Sequence, residues 1–483
     1  MSAATFLVAQ VCFWSLLILV VVLPVRYSVI AYLLLIQFDL NGTGNYSLGS
    51  LGVENTIKTI LIPTFLLYRS WPLEPLAPGC NMLCKLWILL ASYAAISTLW
   101  SPYPLSAMKM AGYFFAYTVL SLVFTTGWRS GWFDERALIL VTWCSLLLAI
   151  VQTYFLGNEF GNPEYENRFT TFSGAATFAP FLLALLILLL FREKWRFATV
   201  AAAAAAMVGL LLAGGRSVFA GLGWTAVLGG VTALLKSGKR FSVLLIARRA
   251  ATGVAAIAFL GLLLYEVFPE NRINELVLAT VNPGSAVQDV GTFAWRLTVY
   301  ERILEALPER GLTHLLLGSG TSSGATILLE NGISNENVVD PNRSLHDEFF
   351  RSLYEWGVPG LAFLLLFTGV LLRLGWKVAR EYRSKEGFAF LAIAAALLFS
   401  LLIENILSDS SSPGGIGYNL VISSMIAAYC RHASKHGPLV VGHSDIVNLM
   451  ASLPRTLASG RTADGQRVPA LSAFLNEHQR RRT

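Results

Sequence analysis

The side chains in this sequence best suited to chemistry are one histidine and a set of arginines. His346 follows the polar stretch Asp340-Pro341-Asn342-Arg343-Ser344-Leu345 and opens the pattern His346-Asp347, nine residues, Gly357-Val358-Pro359-Gly360, which runs into an apolar helix. An imidazole titrates near neutral pH and takes a proton from a hydroxyl, so His346 is a candidate general base. Arg168 lies in Asn167-Arg168-Phe169-Thr170-Thr171-Phe172, Arg216 follows Ala213-Gly214-Gly215, and Arg296 lies in Phe293-Ala294-Trp295-Arg296. A planar guanidinium fork matches paired phosphate oxygens, which points to a phosphate-bearing substrate. Arg343, Asp347, Glu348 and Glu404 are supporting candidates, the last because an ionisable group near the end of an apolar helix is a functional suspect. Each has a plainer reading. His346 would bond to Glu348 or a loop carbonyl, Arg343 would pair with Asp340 or Asp347, Arg216 would snorkel to lipid headgroups, and Glu404 with Asn405 would join two helices. Gly318-Ser319-Gly320-Thr321 reads as a tight turn, since it lacks the strand and helix flanks of a phosphate-cradling loop. No Asp-x-Asp pair or His/Glu cluster has metal spacing, so the chemistry is read as metal-free, without a cofactor.

The elements that must position these residues are membrane helices. Of 483 residues, 55% are hydrophobic and 13% charged, with a mean hydropathy of +0.60; soluble domains carry about 25% charge. Apolar runs able to cross a bilayer, at about 20 residues each, lie near 6–23, 84–100, 105–126, 137–156, 173–191, 197–213, 218–235, 241–266, 351–372, 388–407 and 416–430. Two shorter runs, 27–38 and 57–68, reach a full span if their flanks join them. The expectation is an all-α polytopic protein with about 12 or 13 transmembrane helices. No basic n-region or cleavage site marks a removable leader, so the first helix is expected to stay. The five cysteines show no zinc or redox spacing and read as small apolar residues.

Charge orients these helices. Basic clusters at 192–196, 236–240, 373–385 and 431–435 fall in alternate loops, and the positive-inside rule puts them in the cytoplasm. The 157–172, 214–217, 267–348 and 408–415 segments then face outward, which gathers Arg168, Arg216, Arg296 and His346 on one side. Segment 267–348 holds five arginines, no lysine and eleven acidic residues, a formal −6 in a chain of +7. The basic pI of 9.1 is therefore a topology signal and gives no support for nucleic-acid binding. Within that segment, residues 293–307 have apolar side chains at helical spacing closed by Pro308, and read as an amphipathic helix lying on the membrane. The organisation expected is 1–156, N-terminal helices; 157–266, central helices carrying Arg168 and Arg216; 267–348, a long external loop; 349–435, C-terminal helices; and 436–483, a cytoplasmic tail.

His346, Asp347, Gly357 and Gly360 together resemble the signature of the bacterial O-antigen ligase and polysaccharide polymerase family: His, then Asn, Ser or Gln, nine residues, Gly-x-x-Gly. Asp347 departs from the usual neutral residue. Arg168 is similar to the arginine of that family's external loop motif, Arg216 to its helix-mouth arginine, Arg296 to the one opening its long loop, and Leu317-Gly318-Ser319-Gly320 to its glycine turn. The resemblance covers roughly residues 165–375. It implies an inner-membrane glycosyltransferase that takes a glycan from an undecaprenyl diphosphate-linked donor at the periplasmic face. His346 would act as base for a sugar hydroxyl, and Arg216, Arg296 and Arg168 would bind the diphosphate. The acceptor stays open: another lipid-linked repeat, as in a polymerase of O-antigen, capsule or exopolysaccharide, or the lipid A core, as in a ligase. Glu348-Phe349-Phe350-Arg351 favours the polymerase. Membrane lipids and a chain-length regulator are further partners that it implies. From another class, a transporter or flippase for a lipid-linked glycan is the rival reading, although its marks, symmetry-related broken helices and mid-membrane charges, are not evident.

Overall fold

A computed structural model describes residues 3–38, 47–48, 51–73, 76, 78–156, 169–172, 175–190, 196–213, 299–306, 311–324, 326–327, 348–382 and 413–436. The elements are α1 (Ala3–Val22), α2 (Val25–Leu35), a short antiparallel pair of β1 (Ser47–Leu48) with β2 (Leu51–Gly52), α3 (Val53–Thr56) and α4 (Ile62–Arg69). They continue with α5 (Pro78–Ile96), α6 (Pro104–Arg129), α7 (Glu135–Ile150), α8 (Ala175–Leu190) and α9 (Phe197–Ala213). Helical residues 299–306 (α10), then α11 (Gly311–Leu317), α12 (Glu348–Tyr382) and α13 (Pro413–His436) complete the set. The chain divides into two units, Met1–Arg431 and His432–Thr483.

Several apolar helices mark a membrane protein. Among the described residues, four are long and apolar enough to cross a bilayer: Cys80–Trp100, Pro104–Arg129, Glu135–Leu156 and Glu348–Trp376. Shorter apolar helices lie at Leu7–Val22, Val25–Leu35, Thr177–Leu190 and Phe197–Ala213. The two short sequence runs are both helical. The second is extended by its flanks, because the wide π turn Ile57–Leu61 joins α3 to α4 in one continuous stretch.

Polar side chains tie the apolar helices at points where a lone donor or acceptor in hydrocarbon would be costly. Gln37 Nε2 donates to Ser145 Oγ at 2.7 Å, joining the end of α2 to α7. Asn419 accepts from Ser121 Oγ at 2.9 Å and donates to the Tyr117 carbonyl at 2.8 Å, fixing α13 on α6. Trp87 Nε1 donates to the Phe114 carbonyl at 2.8 Å, and its ring packs on Tyr117 and Phe367, joining α5, α6 and α12.

The two ends of this bundle differ. At one end Asp134 caps α7 through the Ala137 amide at 2.8 Å and pairs with Arg26 at 2.7 Å. Glu135 there accepts from Thr199 and pairs with Arg196 at 3.7 Å, and Arg431 donates to the Trp128 carbonyl at 3.3 Å. The opposite end holds the start of α6, the ends of α7 and α9, and the start of α12.

Candidate functional site

His346, Arg168, Arg216, Arg296, Arg343, Asp347 and Glu404 lie outside the described residues; Glu348, Gly357 and Gly360 lie within them. The chain segments adjoining the candidates form two groups at the end of the bundle opposite the arginine-rich one. In the first, Phe169, next to Arg168, is 5% exposed and packs near Gly209 of α9, one turn before the helix reaches Ala213 and the Gly214-Gly215-Arg216 sequence. Thr170 is fixed by its amide, which donates to Thr153 Oγ1 at 3.1 Å, and Phe172 stacks on Phe38 at 4.8 Å.

The second group adjoins Arg296 and His346. Val299 and Ile303 of α10 are fully buried with Ile327 and Tyr354, and Tyr300 stacks on Phe350 with ring centroids 4.6 Å apart. The apolar face of α10, expected on the membrane, therefore packs on the first turns of α12. An amphipathic stripe states that one face is buried and leaves the covering surface unspecified.

At the centre of this group the Gly318 turn docks on a break in α12. Gly357 has φ 65° and ψ −162°, a conformation that interrupts the helix. The break exposes backbone groups of the preceding turn, and the Gly318 turn takes them up: the Ser319 amide donates to the Tyr354 carbonyl and the Gly320 amide to the Glu355 carbonyl, each at 2.9 Å. Close approach demands glycine on both sides. A Cβ on Gly318, itself at φ 76°, would stand 2.2 Å from the Glu355 carbonyl oxygen, and one on Gly357 would stand 2.6 Å from that of Leu315. Gly360, one turn on, leaves room for Trp356, whose Cβ would lie 2.3 Å from an added methyl. Two motifs that the sequence keeps about forty positions apart are thus one interlocked unit.

Thr321 joins this unit to α5. Its hydroxyl accepts from Trp356 Nε1 at 2.7 Å, lies 2.5 Å from Ser97 Oγ and donates to the Ala94 carbonyl at 3.0 Å, while Ser101 Oγ donates to its carbonyl at 2.6 Å. Glu348 pairs with Arg351 at 3.4 Å, and Arg351 pairs more closely with Glu355 at 3.1 Å. All three are buried, so losing one partner from this set is worth about 3–5 kcal/mol. Glu355 Oε1 also accepts the Gly324 amide at 3.2 Å. Sequence reasoning missed Glu355 and Trp356 and took Thr321 only as part of a tight turn. The spacing of Glu348, Arg351 and Glu355, at i, i+3 and i+7, does place the three on one helix face and was the available signal.

Among the described residues no group of three or more His, Cys, Asp or Glu side chains gathers for a metal. Compared with models of protein families and with curated proteins, the chain matches none.

Proposed function

We propose that the chain is an inner-membrane glycosyltransferase of about 12 or 13 spans that acts at the periplasmic face on an undecaprenyl diphosphate-linked glycan. The observation that carries this reading is the docking of the Gly318 turn on the Gly357 break. The pattern ending in Gly357 and Gly360 and the glycine turn are two of the motifs behind the family resemblance, and they form one contact. The same contact region holds Val299, three residues after Arg296, and Glu348, two residues after His346. The arginine-rich opposite end agrees with a cytoplasmic assignment by the positive-inside rule, which puts this contact region outside.

In the proposed reaction the acceptor hydroxyl oxygen attacks the anomeric carbon of the donor sugar. The bond from that carbon to the diphosphate breaks with its electron pair going to the diphosphate, and the hydroxyl proton passes to His346. Arg216 and Arg296 stabilise the departing charge, with Arg168 and Arg343 assisting. Attack opposite the leaving group inverts the anomeric centre, and the donor is already activated, so no nucleotide is needed.

The test incubates purified protein with lipid-linked repeats alone. Lengthening glycans support a polymerase; product that requires lipid A core supports the ligase; no covalent product with either acceptor overturns the glycosyltransferase reading. His346→Ala is expected to slow transfer on the order of 10² to 10⁴ with donor binding retained, and unchanged turnover removes His346 from the mechanism.

A further inference from the structure

Arg351, in the first turns of α12, is 2% exposed. Its guanidinium stands between Glu355 at 3.1 Å and Glu348 at 3.4 Å, with the Trp356 ring at 5.4 Å over its face. Its charge is thus met by two carboxylates of its own helix. What it does follows from the far ends of its partners. The Glu355 carboxylate accepts the Gly324 amide, its main-chain carbonyl accepts the Gly320 amide, and Glu348 opens α12 two residues after His346. A line of polar contacts therefore runs from the helix entry through Arg351 to the Gly318–Gly324 turn.

We infer that Arg351 is a positioning residue: a buried charge clamp that holds the first turns of α12 and the glycine turn in one fixed relation, so that the base reaches the acceptor from a rigid platform. Its consequence for catalysis rests on the glycosyl-transfer reading above; its mechanics rest on these distances. A charged fork suits the task because apolar packing is non-directional and permits sliding, whereas guanidinium and carboxylate geometry fixes both distance and plane. Lysine, a point charge on a flexible stem, meets one carboxylate at a time.

Arg351→Met alone leaves two carboxylates buried without their cation and is expected to misfold. The decisive variant is therefore the neutral triple E348Q/R351M/E355Q, in which the E355Q change still leaves a side-chain carbonyl as acceptor for the Gly324 amide, with R351K as its milder companion. Both are purified as full chains and kept only if their helix content and elution match the unaltered protein. In the triple variant, amide hydrogen exchange across 318–324 is expected to quicken on the order of tenfold. With lipid-linked donor, kcat is expected to fall about 10²-fold at unchanged donor KM, with R351K between. Unchanged exchange in the folded triple variant overturns the clamp whatever the activity. Faster exchange with unchanged kcat, or a loss confined to KM, overturns the positioning role. Should the unaltered protein transfer no glycan, the functional reading falls, and the exchange measurement still decides the clamp.

Discussion

Gly357→Ala isolates the interlock from the rest of the fold. An alanine there must hold φ 65° and ψ −162°, a region essentially reserved for glycine and worth about 1–3 kcal/mol of strain. Its methyl would also stand 2.6 Å from the Leu315 carbonyl oxygen, 2.8 Å from the Gly318 nitrogen and 2.8 Å from the Leu316 carbonyl carbon. All three are main-chain atoms, so no rotamer change relieves the contact, and overpacking adds about 1–3 kcal/mol. The expected loss, roughly 2–6 kcal/mol, is large beside the ~5–15 kcal/mol stability of a typical domain. Gly369→Ala is the control on the same helix: nothing lies within 4 Å of its added methyl, and replacing a mid-helix glycine stabilises by roughly 0.5–1 kcal/mol. The assay is unfolding of purified protein in detergent, followed by circular dichroism and tryptophan emission. Gly318→Ala should destabilise as Gly357→Ala does, and the double variant should lose less than the sum, because either methyl alone already parts the same pair of backbones. If Gly357→Ala unfolds no earlier than Gly369→Ala, the account of the interlock is wrong.

Two further outcomes test the packing around it. Thr321→Val keeps the shape and removes the hydroxyl that accepts from Trp356, so a buried indole N–H loses its partner at a cost of about 1–3 kcal/mol; Thr321→Ser should stay near the parent stability, and equal melts for the two would refute the assignment. Cys80 and Cys430 have sulfur atoms 3.9 Å apart, so with Cys12, Cys84 and Cys144 replaced by alanine, mild oxidation should join α5 to α13 and protect both thiols from maleimide. Full labelling after oxidation would show that the two helices do not meet there.

Much of the helical framework was legible because its signal is local. Runs read at 6–23, 105–126 and 197–213 correspond to α1 (Ala3–Val22), α6 (Pro104–Arg129) and α9 (Phe197–Ala213), and proline sets the start of α6. The Gly-Val-Pro-Gly sequence announced a special backbone, and the Gly318 sequence announced a turn. That each exists to receive the other was not legible, since the contact joins Ser319 and Gly320 to Tyr354 and Glu355 across more than thirty positions of chain. Arg351 entered the sequence reading only within Glu348-Phe349-Phe350-Arg351, and its burial between two carboxylates depends on packing that spacing alone does not give. For α10 the periodicity marked an apolar face, and the residues that cover Val299 and Ile303, Ile327 and Tyr354, were beyond its reach.

The break at Gly357 also bears on where the membrane begins. Glu348–Trp376 is long and apolar enough to be one span, yet Glu348, Arg351 and Glu355 all precede the break, and residues 358–372 carry no charge. Residues 358–376 alone are ~28 Å long at ~1.5 Å per residue, close to the ~30 Å hydrocarbon thickness. Drawing 348–356 into the bilayer would bring two acidic side chains and one arginine with it, an unfavourable transfer, for no gain in span. Packing agrees with the division. Tyr354 and Phe350 meet α10, and Trp356 meets Thr321, whereas Phe367 meets Trp87 inside the bundle. Gly357 therefore divides the helix into a charged segment packed on the glycine turn and α10 and an uncharged segment close to the length of a membrane span. The break lets residues 348–356 lie against the glycine turn and α10, while Phe367 beyond it packs on Trp87 of α5.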